Sequence, residues 1–251
     1  MAEHADRRPA DQARPGGSLR LARVGGVDIL LHWTFVLLLA LVVLQSWGSA
    51  AQLASWLVWL VAVFGSVLVH EYAHCVIARR RGAVVDDILL TPIGGMSQLR
   101  AMPRDPDDEL AIAVVGPLTS FGLALVAAGA GALLGARIWP PTLFAGSWCA
   151  RVLWLNVLLG GFNLLPALPM DGGRVLRSAL ARHGDRRTAT LRAAQVARWL
   201  AFLMIAVGFV YNVWLILIGA FVLLGAGAEE QEALQPPRDE HGAPGPPDRR
   251  G

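Results

Sequence analysis

The chain has 251 residues, 55% of them hydrophobic, a share too high for an ordinary soluble domain and suited to a multi-span membrane protein. The net charge is only +3, and the basic residues, all Arg, sit beside apolar runs. That placement excludes a nucleic-acid-binding patch and reads as membrane orientation.

Residues 1–26 are polar and Pro/Gly-rich with no apolar core, so they read as a cytoplasmic tail without a cleavable signal peptide. Six apolar runs follow, near residues 29–47, 53–78, 110–134, 148–165, 195–210 and 213–226. Each is close to the roughly 20 residues a bilayer requires. The expected fold is an all-α polytopic membrane protein of about six transmembrane helices, forming one domain over 27–228. The connection 82–109 reads as a short membrane-associated β-hairpin, with strands at 85–90 and 96–99. The stretch 169–192 is Arg-rich and predicted helical from Gly173 to His183. Residues 229–251 are charged and Pro/Gly-rich and read as a disordered cytoplasmic tail.

Arg7, Arg8, Arg14, Arg20 and Arg23 precede the first run, Arg79, Arg80 and Arg81 follow the second, and Arg174 to Arg192 follow the fourth. Only Arg137 and Arg151 lie on the other side. The positive-inside rule then places both termini in the cytoplasm, and Trp47, Trp56, Trp139 and Trp148 form an aromatic belt at the opposite interface. The expected location is the plasma membrane. Cys75 and Cys149 imply neither a disulfide framework nor a thiolate zinc site.

The second run contains His70-Glu71-Tyr72-Ala73-His74. A charged residue at the centre of a membrane helix costs roughly 2.5–3.5 kcal/mol, so such a cluster needs a purpose. Positions i and i+4 share a helix face. His70 and His74 therefore suit one Zn²⁺, with Glu71 reaching the water it activates. A catalytic zinc takes three protein ligands and keeps one position open. The candidate third ligand is Asp171, which closes Asn163-Leu164-Leu165-Pro166-Ala167-Leu168-Pro169-Met170-Asp171-Gly172-Gly173. Pro166 and Pro169 interrupt regular helix there, and the two glycines free the backbone after the carboxylate. The competing reading makes Asp171 a helix N-cap.

The HExxH helix followed by N-x-x-P-x-x-P-x-D-G resembles the site-2 protease family of intramembrane zinc metalloproteases. Three further stretches are similar to the family. Thr91 to Met96 resembles a Gly-Gly loop beside the active site, Gly116-Pro117 a G-P motif in a core helix, and Asp28 to Trp33 a first-helix signature of a compact bacterial branch. The connection 82–109 is too short for a PDZ domain, and residues 229–251 are too few for a CBS pair. The resemblance implies one Zn²⁺ per chain held by His70, His74 and Asp171, with Glu71 as general base and acid. It implies cleavage within or near the transmembrane segment of a single-pass, membrane-anchored protein. It also gives Asn163 a catalytic part, donating to the substrate backbone or the developing oxyanion; polar glue between helices is the alternative. Expected partners are that substrate and membrane lipid, with no nucleic acid.

A catalytically silent pseudoprotease or adaptor is the alternative function, and the intact Glu71 weighs against it. A transporter would show inverted repeats and paired interrupted helices, whereas the sequence shows one interrupted segment. His32 reads equally as a residue snorkelling to the interface or as a support near the site.

Overall fold

The computed structural model describes residues 17–92, 94–99 and 105–235. The chain divides into two compact units, 1–101 and 102–251.

The first unit wraps two helices with a four-stranded sheet. Strands β1 (Ser18–Val24) and β2 (Val27–His32) form an antiparallel hairpin closed by Gly25-Gly26. Both glycines have positive φ, 56° and 85°, as a two-residue hairpin turn requires. Helices α1 (Phe35–Gln45) and α2 (Ala50–Arg80) then connect β2 to β3 (Val85–Thr91). β3 lies parallel to β2, with Ile29 opposite Ile88 and Leu31 opposite Leu90. β4 (Gly94–Leu99) returns antiparallel to β3, so the order is β1-β2-β3-β4 and β4 is an edge strand. Val27, Ile29, Phe35, Cys75, Ile88 and Leu90 form the buried core, joining the sheet to both helices. α2 begins at a Ser49 cap, whose Oγ accepts from the Gln52 amide. Its 31 residues reach about 46 Å.

The second unit is helical: α3 (Pro106–Leu133), α4 (Trp148–Asn163), α5 (Asp171–Ala181), α6 (Arg186–Tyr211) and α7 (Val213–Leu234). Asp105 caps α3, Pro106 opens it, and Asp107, Asp108 and Glu109 place negative charge in its first turn. Small residues let α6 and α7 approach closely. Ala193, Ala194, Ala197 and Ala201 of α6 pack in one core with Val222 and Ala226 of α7 and with Ala167, Leu168 and Met170. A Cβ at Gly219 would stand 2.9 Å from the Ala201 carbonyl oxygen. Asn212 ends α6 and caps α7 by accepting from the Trp214 amide at 2.9 Å.

α2, α3, α6 and α7 are long and apolar enough to cross a membrane, and the chain is a polytopic membrane protein. The expectation of about six spans is met only in part. The first apolar run is not one helix: it divides into β2 and the 11-residue α1, the latter only about 16 Å long. An apolar run cannot by itself separate a buried strand from a helix, and the glycine turn beforehand decides for the strand. The fourth run is a 16-residue helix of about 24 Å. The predicted hairpin at 85–99 is present, but inside a larger sheet, so the description as all-α is too narrow. Its outermost strand on the other side came from the supposed N-terminal tail, since Ser18–Val24 is a strand. At the far end α7 runs to Leu234, six residues into the supposed disordered tail. The parts of the two tails at 1–16 and 236–251 lie outside the described residues.

Candidate metal centre

In the first unit, His70, Glu71 and His74 lie one to three turns before the C-terminal end of α2, where Arg79 and Arg80 face the negative end of the helix dipole. His70 and His74 are 2% and 4% exposed. Their Nε2 atoms are 3.2 Å apart, and their rings meet edge to face. Two nitrogens at 2.0–2.1 Å from a shared tetrahedral zinc would stand roughly 3.4 Å apart. The pair is therefore already spaced for one ion, and its separation also suits a hydrogen bond between imidazoles.

Both flanks of this helix end are fixed by the sheet. On one side Tyr72 and Arg79 pack on the β1–β2 turn. Arg79 donates to the Gly25 carbonyl, and a Cβ at Gly25 would overlap the Tyr72 hydroxyl. On the other side β4 lies against Glu71. Ser97 Oγ donates to Glu71 Oε2 at 2.6 Å, and a Cβ at Gly95 would come within 2.6 Å of Glu71 Cγ. Gly95 is thus more than a turn residue. Nothing in the motif announced Ser97 or the Tyr72–Gly25 contact, because both depend on strands distant in sequence.

In the second unit, Asp171 is the first residue of α5 and is 7% exposed. The N-cap position is Met170, with no side-chain cap hydrogen bond, so Asp171 does not serve as a cap. Arg174 stands 3.8 Å from its Oδ1, one helical turn on. The turn before it is dense. A Cβ at Gly172 would collide with the carbonyl oxygens of Leu164 and Leu165, and one at Gly173 with the Leu168 amide nitrogen. Pro169 in turn fills the space above Gly225 of α7. The Pro and Gly residues around Asp171 therefore serve close backbone approach. Asn163 ends α4 half-buried, and its Nδ2 donates to the Leu159 carbonyl at 2.9 Å, leaving one amide hydrogen outside that bond.

His32, at the end of β2, pairs its Nδ1 with the Thr34 hydroxyl at 2.7 Å. That contact ties β2 to the start of α1 and supports a structural part.

Comparison with known proteins adds the family. The sequence profile of Peptidase family M50 matches residues 58–147 and 143–208, more than half of the chain. The chain belongs to this peptidase family, the site-2 proteases. Among M50 relatives, a zinc metalloprotease of Methanocaldococcus jannaschii is 36% identical over 215 residues, covering 85% of this chain and 61% of that protein. Rip3 of Mycobacterium tuberculosis is 36% identical over 236 residues, covering 85% of this chain and 58% of that protein. The chain thus spans about three-fifths of the length of these curated relatives. The solved site-2 protease from Methanocaldococcus jannaschii superposes with a TM-score of 0.61 at 34% identity, over 85% of this chain and 95% of that one. Site-2 protease membership, expected from the two motifs, is borne out.

Proposed function

We propose that this M50 member is an intramembrane zinc endopeptidase that cleaves single-pass membrane proteins within or near their transmembrane segment. The observation that carries the reading is the buried, ligand-spaced imidazole pair next to a carboxylate inside a 31-residue apolar helix.

His70 and His74 hold one Zn²⁺ in this reading, and Asp171 is the third ligand. Two imidazoles and a carboxylate are a donor set that suits catalytic zinc. The burial of Asp171 and the closely packed turn that sets its backbone support its inclusion. Bound zinc supplies Lewis acidity, polarising the scissile carbonyl and lowering the pKa of water to about 7. Glu71 takes the proton of the attacking water and returns it to the leaving amine. Asn163 offers its second amide hydrogen to the substrate backbone or the developing oxyanion. A helical substrate hides its carbonyls and must unwind, and β4, an edge strand of the sheet among the described residues, suits pairing with an extended strand.

The finer topology belongs to the same proposal. α1 and α4 lie in the bilayer beside the four long helices, making six. The clusters Arg79–Arg81 and Arg174–Arg192 mark the cytoplasmic side. Both termini are then cytoplasmic, in the plasma membrane, with anionic lipid available to the Arg-rich stretch.

The test is purified, zinc-loaded protein incubated with a labelled single-pass substrate in bilayer nanodiscs. Cleavage inside the labelled segment is expected from the wild type and absent from Glu71→Gln. Equal cleavage by the two sinks the mechanism. Zinc-loaded wild type that binds but never cuts points to an adaptor instead.

A further inference from the structure

Glu71 has a partner on β4 that the HExxH pattern does not specify. Ser97 Oγ donates to Glu71 Oε2 at 2.6 Å, a short, charge-assisted bond. The Cys75 thiol donates to the same Oγ at 3.6 Å. A serine hydroxyl carries one proton. With Cys75 occupying its acceptor side, that proton is committed to Glu71. Cys75 is fully buried one turn after Glu71, so the helix itself orients the hydroxyl.

The strand is shaped for this contact. Residues i and i+2 of a strand share a face, and Gly95 and Ser97 are such a pair. A Cβ at Gly95 would lie 2.6 Å from Glu71 Cγ and 3.1 Å from Val67 Cγ1. Gly95 thus gives the carboxylate stem its space and Ser97 grips its end. The two strand positions act on one side chain, and β4 is one of the two edge strands of the sheet.

We propose that Ser97 is a positioning residue, which holds Glu71 through Oε2 so that Oε1 is presented for proton transfer, and which ties that posture to edge strand β4. The inference rests on the reading of Glu71 as the proton-transfer group. A carboxylate free to rotate must find its orientation at each turnover, whereas one fixed by a short bond is already placed. Misplacement of a catalytic group by about 1 Å can cost 10²-fold in rate. Because the tether runs to β4, an extended chain pairing with that edge would act directly on the strand that sets Glu71.

The experiment compares wild type with Ser97→Ala, Ser97→Val and Ser97→Thr as full-length protein in detergent micelles. Val and Thr have the same shape and differ by one hydroxyl, so that comparison stands even if Ala packs badly. Three quantities are read: kcat and KM on labelled casein, bound zinc per chain, and the Glu71 carboxylate infrared band in zinc-free protein. The band is assigned by difference from Glu71→Gln. Removing the hydroxyl (Ala, Val) should shift the band and lower kcat by about 10- to 100-fold, with KM and zinc content within about twofold. Ser97→Thr should restore the band and most of kcat. An unshifted band in Ser97→Val overturns the contact, and a shifted band with wild-type kcat overturns the positioning role. A loss confined to KM or to zinc content overturns it as well. If wild type fails to cut casein, the endopeptidase reading is what suffers, and the band still decides whether Ser97 holds Glu71.

Discussion

Glu71 and the two histidines beside it have separable parts, and single substitutions should separate them. Glu71→Gln keeps the shape and loses the proton acceptor. Peptide hydrolysis should fall by about 10²- to 10⁴-fold, while elemental analysis still finds zinc. On the proposed ligand set, His74→Ala and Asp171→Ala should each lose the metal itself. A different residue governs the sheet's response to acid. Asp87 of β3 is partly buried and stands close to Asp86 and Asp28, so burial first, and then those two carboxylates, push its pKa up. A raised carboxyl pKa means that the folded state binds the proton better than the unfolded state. The stabilisation is complete below the ordinary carboxylate range and is lost as pH rises through the raised value. Asp87→Asn should therefore raise Tm near pH 7, and the gain should shrink towards pH 4 in melts run at about those two values.

Among the elements, the turn that leads into α5 and the strand beside α2 are both built on glycine. Gly173→Ala drives a methyl into the backbone of Ala167 and Leu168, which cannot yield as a side-chain tip can. A loss of about 1–3 kcal/mol or more is expected, seen as a lower Tm together with weaker zinc retention. Gly122→Ala and Gly129→Ala in α3 meet nothing within 4 Å and should change stability by less than about 1 kcal/mol. This contrast marks how much was legible in the sequence. Long apolar runs gave α2 and α3 to within four residues at each end, but set the start of α6 nine residues late and the end of α7 eight residues early, because polar residues continue both helices beyond the apolar run. The break between α6 and α7 reads in the sequence as a tight turn near Tyr211-Asn212, and the structure adds that Asn212 caps α7. β2 was not readable as a strand, since Val27 to Leu31 is apolar enough for either state and its partner β3 lies more than fifty residues away. Ser97 carried no signal at all, because a lone serine acquires meaning only from the helix it faces.

Across the whole chain, polar groups buried in apolar surroundings carry the most information. Beyond the metal centre, Arg177 of α5 is buried between Glu109 of α3 and Glu229 of α7. It donates to Glu109 Oε1 from Nε at 2.8 Å and from a second nitrogen at 2.6 Å, and to Glu229 Oε2 at 2.8 Å. Arg186 of α6 reaches the other Glu109 oxygen at 3.0 Å. Four helices of the second unit thus meet at one ion network. Burial alone would lower the Arg177 pKa, but the two carboxylates more than offset it and raise it, so the guanidinium stays charged. Arg177→Met should cost about 3–5 kcal/mol, because it leaves Glu109 buried with a lost partner. Adding Glu109→Gln should recover much of that loss in thermal or denaturant unfolding. Recovery of nothing by the double variant would mean that shape, and not charge, is what Arg177 contributes.

The sequence alone determined that the chain is a polytopic membrane protein with HExxH in one helix and an aspartate after a broken one. These follow from run length, from spacing on a helix and from the cost of polar groups in lipid, all of which are local in sequence. Tertiary structure alone decided that a four-stranded sheet grips the HExxH helix on both flanks, that Gly95 and Ser97 set the posture of Glu71, and that Arg177 joins four helices. Those contacts link residues far apart along the chain. Their physical basis is close packing and hydrogen-bond pairing between elements, which spacing along one strand or helix does not encode.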